Sequence, residues 1–360
     1  MRVSQPSSWL FSALVTTLAN GGHNLSSAGR AHALSTMPPL TPASTIATHI
    51  PLAQKAMKYL DSSPDPFHAV QTSIDLLQTA GYTRLPDDEP YKGQLKQGGK
   101  YYFTRNGSTL VAFCVGDNYQ AGQGGFKIIG GHTDSPNLKI KPRSKKHASG
   151  CIQLAVECYG GGLWHTWFDR DLGLSGRVMV RNEETNQIEP KLVLVDRCLV
   201  RIPTLAIHLQ TAKEREAFKV NKEDHLVPIL ATMAQQALET GTVEGVTNEK
   251  ESSTEKEVPL KDGWTEYQEP LLLDLLASEL NIDKQQIVDF ELNLFDCQKS
   301  ALGGAYSEFL HSARLDNLAS CFMAVEGLVE YSSADNALVD DSDISMVALF
   351  DHEEVGSTSA

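Results

Sequence analysis

The chain has 360 residues, of which 41% are hydrophobic and 21% charged, the balance of an ordinary globular protein rather than a collagen, a coiled coil or a mostly disordered chain. The length suggests about two domains, enough to bury about three-quarters of the unfolded surface without staples. With 31 Lys and Arg against 45 Asp and Glu, the net charge of −14 argues against nucleic acid or an anionic membrane as a partner, and no apolar run reaches the ~18 residues of a membrane span.

Residues 1–50 read as a leader. No Asp or Glu precedes Asp61, and Ser, Thr and Ala surround the isolated Arg2 and Arg30, as in a mitochondrial transit peptide. Residues 9–19 also fit the apolar core of a signal peptide, with Ala31-His32-Ala33 as its cleavage site. The bland alternative is a disordered leader, or a reading frame that truly starts at Met37.

Segment 51–137 reads as the first part of an α/β layer. Asp65-Pro66 is an N-cap followed by proline at the first helical position. Phe67, Val70, Ile74 and Leu77 then keep helical spacing until Gly81. Strands are expected over 101–103, 109–115 and 126–129, the last running into Gly130-Gly131-His132-Thr133-Asp134-Ser135.

From 138 to 286 the texture becomes β-rich, with short alternating pieces separated by turns and a helix over 270–280. Lys139, Lys141, Arg143, Lys145 and Lys146 read as a solvated basic turn, and 241–257 as a flexible charged loop. Segment 287–360 reads as the return to the α/β layer. A half-buried strand over 287–295 is followed by a helix opening at Leu315-Asp316-Asn317. The apolar run Ile344–Phe350 is expected to be buried on both faces of a parallel sheet and ends in Asp351-His352-Glu353-Glu354. The six cysteines are sparse, lie in apolar surroundings and include no CxxC, so they read as free thiols in a reducing compartment.

Ligands on open α/β sheets gather beyond the carboxyl ends of strands, and two such ends carry His-x-Asp and Glu-Glu. Imidazole with hard carboxylate oxygens suits Zn²⁺ or a similar ion. His132 is a candidate ligand, and Asp134 could fix its tautomer; a capped turn with a hydrogen-bonded histidine is the bland alternative. Adjacent Glu353 and Glu354 repel unless a cation or deep solvation intervenes. One could bind metal while the other takes a proton from water; a solvated loop is the alternative. Asp316 at a helix start could be an N-cap or could bridge two cations. No GxSxG elbow, HExxH or Walker A motif is present.

GGHTDSPNLKIKP, YGGGLWHTWFDRDLGLSGRV, RIPTLAIHL, HLVPILA, LGGAYSEF, ARLDNLASC and DHEEVGS occur in this order across about 65–360. Together they resemble the aspartyl aminopeptidases, a family of dinuclear zinc exopeptidases. The resemblance implies an α/β fold: a zinc-peptidase-like α/β catalytic layer interrupted by a β-rich dimerisation domain. It implies that His132 ligates one Zn²⁺, Asp134 orients it, Asp316 bridges two Zn²⁺ ions, Glu353 is the catalytic base and Glu354 ligates the second ion. His208 matches a histidine that reaches the neighbouring subunit's site; from the residues alone it reads as packed in a strand. Peptides with N-terminal Asp or Glu are the implied substrates, and a homo-oligomer is the implied assembly, with no nucleic acid or membrane partner. The implied location is cytoplasmic, with vacuolar or mitochondrial alternatives.

The family's motifs continue beyond Ala360 with a further zinc-ligating Asp, a further zinc-ligating His and the acidic-residue pocket. The catalytic part is therefore expected to be incomplete and this chain inactive alone. A non-catalytic subunit that co-assembles through the β-rich domain is the competing expectation.

Overall fold

The computed structural model describes residues 42–86, 89–240 and 263–357. The expected leader up to residue 41 and the loop over 241–257 lie outside the described residues. Contacts divide the chain into Met1–Ala47 and Thr48–Ala360. Of the first unit only the opening of one helix is described, and every strand belongs to the second.

In chain order come α1 (Pro42–Asp61), α2 (Pro66–Thr79), β1 (Thr83–Arg84), β2 (Lys100–Arg105), β3 (Thr109–Val115) and β4 (Phe126–His132). Next are β5 (Asn137–Ala148), β6 (Cys151–Tyr159), β7 (Leu172–Arg181), β8 (Ile188–Val200), α3 (Ala212–Glu216), β9 (Ile229–Thr232), α4 (Met233–Thr240), α5 (Pro270–Leu280) and β10 (Ile287–Asp296). Then come the hairpin β11 (Ala301–Gly303) and β12 (Phe309–His311), α6 (Leu315–Ser333) and β13 (Ile344–Phe350). Helix α1 starts inside the segment read as leader and continues to the buried Tyr59 and Leu60.

Asp65 caps α2 by accepting a hydrogen bond from the His68 amide at 3.0 Å, and Gly81 follows in the left-handed conformation that ends such helices. Helices α1, α2 and α6 cover one face of a five-stranded sheet ordered β1-β2-β3-β13-β4. Tyr59, Leu77, Phe322 and Val325 meet Leu110, Val347 and Leu349 there. The opposite face carries a smaller cluster of Leu85, Tyr101, Phe113, Val115 and Ile344. The sheet is mixed rather than parallel: β13 runs parallel to β4 but antiparallel to β3. A central strand with apolar clusters on both faces reads as a continuous apolar run whichever way its neighbours point. On β4, Phe126, Ile128 and Ile129 remain 58%, 60% and 58% exposed.

The second sheet is six-stranded and antiparallel, ordered β8-β7-β10-β5-β6-β9. Helix α5 lays Leu272, Leu273 and Leu276 onto Leu154, Leu174, Val193 and Leu294, and fully burying each such side chain stabilises by about 1.5–3 kcal/mol. Strand β10 belongs here, between β7 and β5, so the return to the first sheet falls after Asp296 and not at residue 287. The basic run is no solvated turn either. It lies on β5, where the Lys139 ammonium is tied to Glu291 at 2.8 Å and sits 4.1 Å over the Tyr159 ring. Arg143 stacks at 4.6 Å on Tyr267. All six cysteines are free.

Candidate metal centre

Strands β4 and β13 are parallel neighbours, and His132 lies opposite Phe350 in their register. The loops that leave them emerge at one margin of the sheet, the place where open α/β sheets hold ligands. His132 closes β4, while Glu353 and Glu354 open the turn after β13. The entry to α6 arrives from a third direction. Asp316 and Asn317 have non-helical dihedrals there, and the peptide between them is cis. With those dihedrals regular helix begins at Leu318, and the Asp316 side chain faces His132 instead of capping the helix.

Hydrogen bonds stitch the three segments together. The Asn317 Oδ1 accepts from the His132 amide at 3.2 Å, and the Ser135 hydroxyl donates to the Asp316 carbonyl at 3.2 Å. The buried Cys321 thiol donates to the His132 carbonyl at 3.0 Å. A Cβ at Gly131 would stand 2.9 Å from the Asn317 Oδ1, so a larger residue there must displace the side chain that accepts from the His132 amide.

Asp134 is fully buried beneath this margin. Its Oδ2 accepts from the Glu354 amide at 3.0 Å and from the Tyr159 hydroxyl at 2.8 Å. Its Oδ1 accepts from the Glu353 amide at 3.3 Å. Burial alone would raise the Asp134 pKa, but His132 and these donors together hold it below the usual carboxylate value. His132 Nδ1 faces two acceptors, the Asp134 carbonyl at 3.0 Å and Oδ1 at 3.3 Å. Nδ1 therefore carries a proton, and Nε2 is the nitrogen left for a ligand bond. Nε2 lies 3.3 Å from Asp316 Oδ1 and 3.8 Å from Glu353 Oε2. Ligand atoms of His132, Glu353 and Glu354 all lie within 4.8 Å of one another.

The electrostatics ask for positive charge. The hydrogen bond to Asp134, against the pull of burial, raises His132 to a pKa of about 9. Burial, then the charge of Asp134, raises Glu354. With no cation present, a proton on His132 balances the surrounding carboxylates. A divalent ion does so better, and the donor set of one imidazole and hard carboxylate oxygens suits zinc. Ligands at about 2.0–2.1 Å on one tetrahedral zinc stand about 3.3–3.4 Å apart, close to the 3.3 Å between His132 Nε2 and Asp316 Oδ1.

The structure therefore brings His132, Asp134, Asp316, Glu353 and Glu354 together. It does not bring His208 to them: that residue is exposed on the 3-10 turn Ile207–Leu209, not packed in a strand. Sequence reasoning missed Tyr159, Asn317 and Cys321. The glycines after Tyr159 were the available signal, since Gly160 adopts φ +75° and lies against Glu354.

Residues 59–360 match the model of the aminopeptidase I zinc metalloprotease family, M18. The chain is 46% identical over 308 residues to an aspartyl aminopeptidase of Aspergillus oryzae, covering 84% of this chain and 61% of that protein. It is similar to a solved structure of Chaetomium thermophilum mApe1, with TM-score 0.73 and 34% identity, covering 86% of this chain and 64% of that one. It is also similar to the S. cerevesiae mApe1 dodecamer, with TM-score 0.69 and 30% identity, covering 87% of this chain and 63% of that one. The chain thus spans about three-fifths of the length of the curated relatives it matches.

Proposed function

The chain belongs to the aminopeptidase I zinc metalloprotease (M18) family, and from that premise we propose that its site serves release of N-terminal Asp or Glu from peptides by hydrolysis. The observation that carries this reading is the convergence of ligand atoms of His132, Glu353 and Glu354 within 4.8 Å of one another, with Asp316 Oδ1 3.3 Å from His132 Nε2 and the buried Asp134 accepting from the Glu353 and Glu354 amides. The acidic preference is supported by the relatives named as aspartyl aminopeptidases.

In this reading His132, Asp316 and Glu354 hold Zn²⁺. When bound, zinc supplies Lewis-acid polarisation of the scissile carbonyl and a more acidic water. The remaining work is done by the chain. Glu353, whose side chain is 63% exposed, faces the open side of the cluster. It takes a proton from the attacking water and returns it to the leaving amine as the C–N bond breaks. Asp134 keeps the His132 ring in the tautomer that presents Nε2, and its two oxygens hold the Glu353 and Glu354 amides in a fixed turn.

Assembly of several copies fits the same reading, since a relative forms a dodecamer. His208, flanked by the exposed Leu205, Ile207 and Leu209, is available to a neighbouring subunit there.

The test compares the zinc-loaded full-length protein with its Glu353→Gln variant on peptides beginning with Asp, Glu or Leu, with zinc content measured in parallel. Acidic N-termini should be released preferentially. Glu353→Gln should retain zinc and lose about 10²–10⁴-fold in kcat, the span that general-base assistance contributes. Undiminished turnover by Glu353→Gln would remove that residue from the mechanism.

A further inference from the structure

Tyr159 is the last residue of β6, a strand of the six-stranded sheet, yet its hydroxyl ends 2.8 Å from Oδ2 of Asp134 below the other sheet's margin. That oxygen has two donors, the Glu354 amide and the Tyr159 hydroxyl, one from each sheet. The ring is held in turn: the Lys139 ammonium sits 4.1 Å from its centroid and is anchored by Glu291 at 2.8 Å. Directly after it, Gly160 lies so close to Glu354 that a Cβ would approach the Glu354 Cβ to 2.9 Å and Oε2 to 3.2 Å.

We propose that Tyr159 is a positioning residue of the metal centre: its hydroxyl fixes Asp134, which aims His132 and holds the Glu353–Glu354 turn, so the six-stranded sheet sets the ligand geometry. The inference rests on the cation-binding reading above. Its physical basis is the count of donors. Asp134 is fully buried, and a buried carboxylate that loses a donor must find another or rotate. The atoms free to follow such a rotation are the His132 ring and the two glutamate amides. Burial and the Asp134 charge hold the phenol well above its ordinary pKa, so it remains a donor throughout the physiological range.

Co²⁺ in place of zinc provides a readout separate from turnover. The full chain, Tyr159→Phe and the control Tyr82→Phe are titrated with Co²⁺, and affinity, visible d–d spectrum and thermal stability are recorded. Tyr82 donates to Ser332 at 2.9 Å in the helical core, away from the site. Tyr159→Phe should bind Co²⁺ about 10–100-fold more weakly, the usual effect of removing a group that orients metal ligands, with a displaced spectrum. Tyr82→Phe should lose stability and change neither affinity nor spectrum. Wild-type affinity and spectrum in Tyr159→Phe would overturn the inference, as would equal changes in Tyr82→Phe. If Tyr159→Phe fails to fold, Lys139→Met decides: a displaced spectrum supports the positioning role and an unchanged one refutes it. A wild-type chain that binds no Co²⁺ removes the cation reading and this inference together.

Discussion

In the five-stranded sheet β4 and β13 run parallel and end side by side, whereas no strand of the six-stranded sheet has a parallel neighbour. Parallel neighbours send their following loops to the same margin, while antiparallel neighbours send them to opposite margins. His132 and the Glu353–Glu354 pair meet for that reason, although more than 200 residues separate them in the chain. The larger sheet buries more leucine and valine, yet among the described residues no comparable cluster of ligand groups lies on it. What it supplies is a strand end, Tyr159, pressed under the other sheet's site. Donor convergence thus follows from strand direction, not from the size of the core.

The sharpest way to break this contrast is to weaken each sheet by the same kind of change. Leu349 and Leu174 are both fully buried, one on β13 just before the residue opposite His132, the other on β7. Truncating either to alanine should cost about 2–5 kcal/mol in urea unfolding. Only Leu349→Ala should also lower Co²⁺ affinity in the folded protein. Equal losses of affinity in the two variants would erase the distinction.

A smaller effect separates the layers by pH. Burial alone would raise Asp65, but its hydrogen bonds with the His68 ring, at 2.7 Å, and the His68 amide outweigh that and hold its pKa below the ordinary value. A carboxyl lowered by folding stabilises the native state above its unfolded pKa, near 4, and that contribution is lost as pH falls through the folded value. Asp65→Ala should cost about 1 kcal/mol at neutral pH through loss of the helix cap and should flatten the decline of stability below pH 4. Parallel acid profiles for the two proteins, followed by thermal unfolding, would contradict this assignment.

The smallest expected change lies between the sheets. Arg177 on β7 donates to the Asn106 carbonyl at 2.9 Å and stacks at 4.4 Å on Phe67. Arg177→Met removes a part-buried side chain that also pairs with Glu291 at 3.3 Å; it should cost about 1 kcal/mol and leave Co²⁺ binding intact. A loss of metal affinity there would show that the whole junction, not the Tyr159 contact alone, governs the site.

Much of this was legible in the residues because it is local. The His-x-Asp and Glu-Glu pairs sit at or just beyond the ends of strands that their own apolar patterns announce, and Asp65-Pro66 caps a helix through a bond three residues long. What stayed hidden is long-range. Strand β10 alternates as a half-buried strand would in either sheet, so its pattern could not say which sheet it joins. Lys139 looks solvated when only its charge is read; Tyr159 and Glu291, distant in sequence, are what cover it. The glycines after Tyr159 hint at a close approach there, but they do not say that its hydroxyl ends on Asp134.

The bare flank of β4 has a practical consequence for handling. Phe126, Ile128 and Ile129 stand in solvent on a strand that is paired on one side among the described residues. Unsatisfied backbone groups beside apolar side chains make a template onto which another polypeptide segment can add. A charge placed at Ile128 should therefore weaken such addition, and light scattering at rising protein concentration would read the difference.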